Sequence, residues 1–228
     1  MTYRVPAAGE PFVCAWNGGR DACLALYRAI RAGAKPQFLL TMLDESGEYS
    51  YSLPIPRSVL QAQALSLNIP LLTKTTDKEN YNQGVLDVLQ ELKAMDINIV
   101  TFGDISLDNH RRGNESLCQQ AGLETYLPLW DTPKSRILAE YVTAGFRAMI
   151  VTASNKLGPN YAGRYLDTQC IEQLEALQNI DVTGESGEYH TVIVDGPIFA
   201  NPIPLKAGNT ESTGDQWVTN LNLLSLNY

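Results

Sequence analysis

Val13-Cys14-Ala15-Trp16-Asn17-Gly18-Gly19-Arg20-Asp21-Ala22-Cys23 is the stretch on which the fold turns. An apolar run, Phe12 to Trp16, stops at a glycine pair, and an amphipathic stretch with Leu24, Ala25, Tyr27, Arg28, Ile30 and Arg31 starts at once. The pattern predicts a buried strand, a tight turn and a helix start. Two glycines open φ > 0 and remove the Cβ atoms that would keep an anion away from the backbone. The helix behind them presents unpaired N–H groups and the positive end of its dipole. Such a loop suits a phosphate, although a plain strand-to-helix turn in any α/β protein has the same outline.

Neither G-x-x-x-x-G-K-[ST] nor G-x-G-x-x-G is present. What the segment resembles is the PP-loop, S-G-G-x-D-S, of the adenylating ATP pyrophosphatases, standing here as Asn17-Gly18-Gly19-Arg20-Asp21-Ala22.

Outward from this loop, strand-like and helix-like segments alternate over about the first 145 residues, the pattern of a parallel α/β sheet. Strands are predicted at Phe12–Trp16, Gln37–Leu43, Leu71–Lys74 and Ile97–Phe102, with a further short one at Arg147–Thr152. Helices are predicted at Asp21–Ala32, Pro56–Leu67, Asn80–Met95, Asn109–Gln120 and Ser135–Thr143. Gly33 and Gly145 fall where helix C-caps belong. Beyond Ala153 the texture changes: a Gly/Pro/Asn loop at 155–163, a helix at Asp167–Leu177 and a short strand at Thr191–Val194. The tail, Phe199–Tyr228, alternates Trp217-Val218, Leu221, Leu223-Leu224 and Leu226 with polar residues and predicts one or two edge strands.

The 228 residues suffice for one ample core, or for a domain of about 150 residues plus a smaller one. An apolar share of 44% with 18% charged residues is ordinary for a globular protein. A net charge of −8 argues against a broad nucleic-acid surface. No run approaches the ~18 apolar residues that cross a bilayer, and the first residues lack a secretion-signal pattern. Cys14, Cys23, Cys118 and Cys170 are scattered, as reduced thiols in a cytoplasmic protein would be. Two histidines and no ligand spacing argue against zinc.

Four further stretches bear on the chemistry, each with a structural alternative. Gly103-Asp104-Ile105 follows a strand, where an aspartate can meet a metal or a ribose or merely cap a turn. His110-Arg111-Arg112 can meet phosphate or form the solvated first turn of a helix. Pro128-Leu129-Trp130 reads as a rigid corner, with Trp130 better suited to packing a junction than to stacking on adenine. Gly184-Glu185-Ser186-Gly187-Glu188-Tyr189-His190-Thr191 puts two glycines and two carboxylates ahead of a β-branched strand. Such a turn can accept hydrogen bonds from a substrate ammonium or chelate Mg²⁺, or be a solvated acidic hairpin.

From about residue 12 to 206 the order of these motifs resembles the diphthine–ammonia ligase family, N-type ATP pyrophosphatases also called diphthamide synthetases. Cys118-x₃-Gly122-Leu123, Gly145-Phe146-Arg147-Ala148, Leu166-Asp167 and Asp195-Gly196-Pro197-Ile198-Phe199 complete the series. The resemblance implies a HUP-type ATP-binding domain, a parallel sheet with helices on both faces, over 1–150. It implies a smaller α+β substrate domain over 151–228. It further implies ATP with Mg²⁺, adenylation of a small-molecule or protein-side-chain carboxylate with release of pyrophosphate, and attack by ammonia. On that reading Asn17, Gly18, Gly19, Arg20, Asp21, Ala22, Gly103 and Asp104 hold the nucleotide. Arg20, Asp21 and Asp104 are catalytic, and Asp21 and Asp104 hold the metal. His110, Arg111, Glu185, Gly187, Glu188, Tyr189 and His190 face the substrate. A homodimer is compatible with the sequence, and a membrane or nucleic-acid partner is not expected.

The chain departs from the family pattern at Asn17, Arg20 and Ala22, where Ser, Lys and Ser are usual, and at His190, where Glu is usual. Asn keeps a donor, and Arg keeps the charge on a longer planar fork. Ala22 lacks a hydroxyl. An alternative reading is therefore a non-catalytic adenine-nucleotide-binding protein, retaining the fold as a sensor or assembly partner.

Overall fold

A computed structural model of the chain describes residues 3–224. Five parallel strands, β1 (Pro11–Ala15), β2 (Lys35–Leu43), β3 (Leu71–Thr75), β4 (Ile99–Thr101) and β5 (Glu124–Tyr126), form a sheet in the order β3-β2-β1-β4-β5. A parallel sheet covered on both faces buries its central strands on both sides, which is why the apolar runs of β1 and the second half of β2 are continuous. Val13 is flanked by Phe38 and Val100, and Cys14 by Leu39 and Thr101. The chain moves outward from β1 to β3, then returns to place β4 on the other side. The switch point, where ligands collect in open α/β sheets, lies between β1 and β4.

Alternation divides the core. Phe12 and Cys14 pack on the side of α1 (Arg20–Arg31) and α2 (Arg57–Leu67). Val13, Leu40 and Val100 pack against α3 (Tyr81–Ala94) and α4 (Asp108–Ala121). Gly33, at φ +93°, and Gly145, at φ +82°, follow the last turns of α1 and α5 (Lys134–Thr143) as expected.

The second sheet is antiparallel, in the order β7-β6-β9-β8, from β6 (Arg147–Ser154), β7 (Tyr189–Asp195), β8 (Leu205–Ser212) and β9 (Gln216–Leu223). α6 (Thr168–Glu175) begins at Asp167, whose carboxylate accepts from the Cys170 N–H at 2.8 Å. Ala148, Ile150, Val192 and Val194 join the same core as α1 and α2.

Two predicted elements land elsewhere than expected. Arg147–Thr152 does not extend the parallel sheet: β6 runs across residue 150, and its ladder partners among the described residues are β7 and β9. Of the tail strands only β8 is an edge, since β9 lies between β6 and β8. Leu226 lies outside the described residues. β5 had no apolar run to announce it, being three residues long with Glu124 exposed. Among the described residues no helix is long and apolar enough to cross a membrane.

Candidate functional site

A cavity of about 310 Å³ opens at the switch point, bounded by the C-terminal ends of β1, β2 and β4 and by the start of β7. Its volume is at the small end of the range for ligand pockets. One end is apolar, with Leu40, Met42, Val85, Leu89 and Val100. The other is polar and acidic, with Asn17, Asp21, Asp104, His110, Asn114 and Glu185.

The two loop glycines do different jobs. Gly18, at φ +83°, leans on α2, where a Cβ would come within 2.9 Å of Leu60 Cδ2 and 3.1 Å of Gln63 Oε1. Gly19 lines the cavity, and a Cβ there would meet the Thr191 carbonyl oxygen at 3.2 Å. The Gly19 N–H donates to Asn17 Oδ1 at 3.0 Å, and the Arg20 N–H to Thr191 Oγ1 at 3.2 Å. Behind the loop the Gln63 amide, fully buried, donates to the Gly18 and Ile193 carbonyls at 3.0 and 2.7 Å. Its oxygen accepts from the Trp16 indole at 2.9 Å.

Arg20 is 2% exposed. Its Nε donates to Asp21 Oδ1 at 2.8 Å, Nη2 to the Thr183 carbonyl at 2.8 Å and Nη1 to the Tyr189 hydroxyl at 3.1 Å. The guanidinium thus fastens the first turn of α1 to the strand and turn of the second sheet. Burial pushes the Tyr189 phenol up to about 12, with Arg20 opposing, and its hydroxyl donates to the Val182 carbonyl at 2.6 Å. Asp21 keeps about a third of its side chain accessible, at 32%, facing the cavity. Enclosure there raises its carboxyl above the usual range, and Arg20 opposes the rise.

Asp104 leaves the end of β4 and is 14% exposed. Burial raises its carboxyl, while a hydrogen bond from Asn114 Nδ2 at 2.8 Å and His110, 3.7 Å away, act in the opposite sense. Gly103 beside it packs backbone to backbone on α1, where a Cβ would lie 2.7 Å from Ala22 N.

Glu185 reaches across from the second sheet's side. Its Oε1 accepts from the N–H groups of Ile105, Ser106 and Leu107 at 3.0, 2.6 and 3.2 Å, and its Oε2 from the Ser106 hydroxyl. A carboxylate on three successive amides in the turn before α4 satisfies the Leu107 N-cap donor, orders the turn and sits at the positive end of the helix dipole. Glu185→Ala is expected to cost about 2–3 kcal/mol in urea unfolding, the range for charged hydrogen bonds left unmade. Amide hydrogen exchange at 105–107 should rise with it, and unchanged exchange there would contradict this capping role.

Of the residues singled out in the sequence, Asn17, Gly19, Arg20, Asp21, Ala22, Gly103, Asp104, His110, Glu185, Tyr189 and His190 share the cavity wall. Gly18, Arg111, Gly187 and Glu188 are not part of it. Arg111 is held by Asp108 and Glu115, with its guanidinium 5.2 Å from the Trp130 ring centroid. Gly187 sits at φ +88° in the open of its turn. Glu188 turns inward and is 8% exposed. Sequence reading missed Tyr51, Tyr81, Asn114 and the Gln63 hub, and quoted Thr191 only as the end of a motif. Only Gln63 left a signal: it lies four residues after Val59, on the buried stripe of α2.

Two family profiles match the chain, Diphthamide synthase N-terminal domain over residues 12–125 and Diphthamide synthase C-terminal domain over residues 133–225. The chain belongs to the diphthamide synthase family. It is 24% identical over 219 residues to the diphthine–ammonia ligase of Danio rerio, a match covering 85% of this chain and 86% of that protein. Against the diphthine–ammonia ligase of Homo sapiens it is 24% identical over 213 residues, 82% of this chain and 79% of that one. The Schizosaccharomyces pombe diphthine–ammonia ligase is also 24% identical over 212 residues, but only 35% of its length is covered. In diphthamide synthase terms, the glycine loop and Asp104 belong to the N-terminal region, and Glu185 to His190 to the C-terminal one. The Glu185 and Arg20 bonds join the two across the cavity.

Proposed function

We propose that this diphthamide synthase family member is an ATP-dependent amide ligase. It adenylates a substrate carboxylate with release of pyrophosphate, and ammonia then displaces AMP. One observation carries the reading: a single cavity combines an apolar end, the glycine loop with its helix N-terminus, and two enclosed carboxylates, Asp21 and Asp104. The apolar end suits a purine, and Leu40, Met42 and Val100 exclude water from it. At the other end Gly19 and the first turn of α1 meet the phosphates, and Asn17 Nδ2 is a further donor. Pre-placed donors matter because charge develops on the phosphates as the acyl-phosphate bond forms. The second-sheet side presents the acceptor.

Mg²⁺ fits the donor set. Among the described residues no group of three or more His, Cys, Asp or Glu side chains is placed to hold a metal. Mg²⁺ does not need one, since it is commonly held by one or two carboxylates plus substrate phosphates. Asp21 and Asp104 are the oxygen donors that would hold it, and its charge would neutralise phosphate.

Asp104 also gives a test by pH. Its carboxyl is raised in the folded protein, so the fold binds that proton more tightly than the unfolded chain does. The penalty for ionising it is absent at pH 3 and complete above the raised value. Asp104→Asn is therefore expected to lift the melting temperature by roughly 2–4 °C at pH 8, the size of about 1 kcal/mol in a chain this long, with no gain at pH 3. The same change should weaken magnesium–ATP binding at least tenfold. A variant that loses stability at pH 8 would sink this account of Asp104.

A second reading, nucleotide binding without turnover, draws on the loop itself. The Gly19 and Arg20 amides and the Arg20 guanidinium already have partners within the protein. Purified protein with ATP, magnesium, ammonium chloride and a panel of small-molecule and peptide carboxylates as acceptors separates the two. Release of pyrophosphate and AMP supports the ligase, and a further rise in Ala22→Ser would assign the missing hydroxyl its part. Binding of ATP with no pyrophosphate would leave the second reading standing.

A further inference from the structure

Thr152 and Ser154 on β6, and Glu188 and His190 at the start of β7, form a polar block on one face of the antiparallel ribbon. Thr152 is registered opposite His190, and the Ser154 N–H donates to the Glu188 carbonyl at 2.8 Å. Opposed residues and residues two apart share a face of a sheet. His190 lines the cavity, so the block runs from the cavity wall into the protein. Thr152 is 1% and Glu188 8% exposed. Thr152 Oγ1, Ser154 Oγ and Glu188 Oε2 are buried oxygens that no described group meets. Glu188 Oε1 accepts from the Asp181 N–H at 3.0 Å, leaving Oε2 to the block.

A buried carboxylate oxygen calls for a positive partner or a donor. Among the described residues no lysine or arginine forms an ion pair with Glu188. The remaining groups, two hydroxyls and an imidazole nitrogen, each offer a lone pair, and a cation carrying several N–H donors satisfies these and the carboxylate together. We infer that Thr152, Ser154, Glu188 and His190 form an ammonium-binding site beside the cavity. Its role in turnover rests on the ligase reading. Ammonium gives one proton to the His190 imidazole, which hands it on to water through the cavity, and the nitrogen lone pair is freed. That pair forms the C–N bond to the acyl carbon, the C–O bond to AMP breaks with its electrons leaving on AMP, and the surplus proton on nitrogen passes to water. Burial lowers the His190 imidazole from its usual value, with Glu188 opposing, so the ring is a weaker base than ammonia and serves as a relay that does not retain the proton.

Thermal unfolding of the full chain in ammonium, sodium, potassium or tetramethylammonium chloride at equal ionic strength tests the site, with pyrophosphate release from magnesium–ATP and the same panel of acceptor carboxylates measured in parallel. Ammonium alone is expected to give a saturable rise of roughly 3–5 °C at ten times its dissociation constant. The rise should vanish in Glu188→Gln and shrink in Ser154→Ala, the milder change should the first variant not fold. Equal melting temperatures in ammonium and sodium, or an equal rise with potassium, would overturn the site. Pyrophosphate released without an ammonium-specific rise removes the site and leaves the ligase reading intact. An ammonium-specific rise without pyrophosphate keeps the site and removes the ligase reading.

Discussion

Gln63→Leu is expected to lower stability by about 3–4 kcal/mol, because it strips a fully buried amide from three partners while hardly changing volume. The Trp16 indole N–H loses its acceptor, and the Ile193 carbonyl loses a donor at 2.7 Å. The Gly18 carbonyl keeps the Ile193 N–H at 2.8 Å and so is only half orphaned. Leucine fills the space, so the loss isolates the polar cost from any cavity cost. At this chain length the melting temperature should fall by roughly 8–15 °C. Because Gln63 ties the glycine loop to α2 and β7 together, ATP affinity should drop in whatever fraction remains folded. A loss below about 1 kcal/mol in urea unfolding would show that the three bonds are not coupled to stability, against the ordinary magnitude for buried orphaned groups.

Gly103→Ala is expected to damage binding more than folding. Its Cβ would stand 2.7 Å from both Ala22 N and Asp21 C and 2.9 Å from Asp21 O. All three are backbone atoms, so relief requires β4 and the first turn of α1 to separate. Asp104 follows β4 in the loop that holds Gly103, and Asp21 is on that turn of α1; a shift of about 1 Å between such groups can cost a factor of about 100. Overpacking of this kind also costs about 1–3 kcal/mol. Gly113→Ala, within α4 and with nothing within 4 Å of the new methyl, is the control and should be neutral or stabilising. Calorimetry with magnesium–ATP would decide the matter. Equal affinity in both variants would mean that the close approach at Gly103 does not set the distance between the carboxylates.

Much of the first sheet was legible because its signals are local. The run before Asn17, the glycine pair and the stripe of α1 lie within twenty residues, and parallel strands buried on both faces show up as apolar runs. Gly33 and Gly145 marked helix ends for the same local reason. The roles of the site's side chains were less legible. Arg20 looked like a phosphate cation, yet its guanidinium is held by Asp21, Thr183 and Tyr189, the last two more than 160 positions away. Glu185 looked like a substrate carboxylate, yet it holds amides about 80 positions earlier. A residue type at a spacing states which bonds are chemically available, and only the folded chain states which partner takes them.

What the sequence determined by itself was the alternation of strands and helices up to β4, the glycine turn at the end of the first strand and the motif series from residue 17 to 199. Periodicity, chain entropy and glycine's missing Cβ act within a few residues, so they can be read in one dimension. Tertiary structure alone decided that β6 joins the antiparallel sheet, that Arg111 sits over the Trp130 ring and not in the cavity wall, and that Gln63 stands behind the glycine loop. Each of these depends on a hydrogen bond or a packing choice between segments far apart in the chain, where many pairings are chemically equivalent until the core selects one.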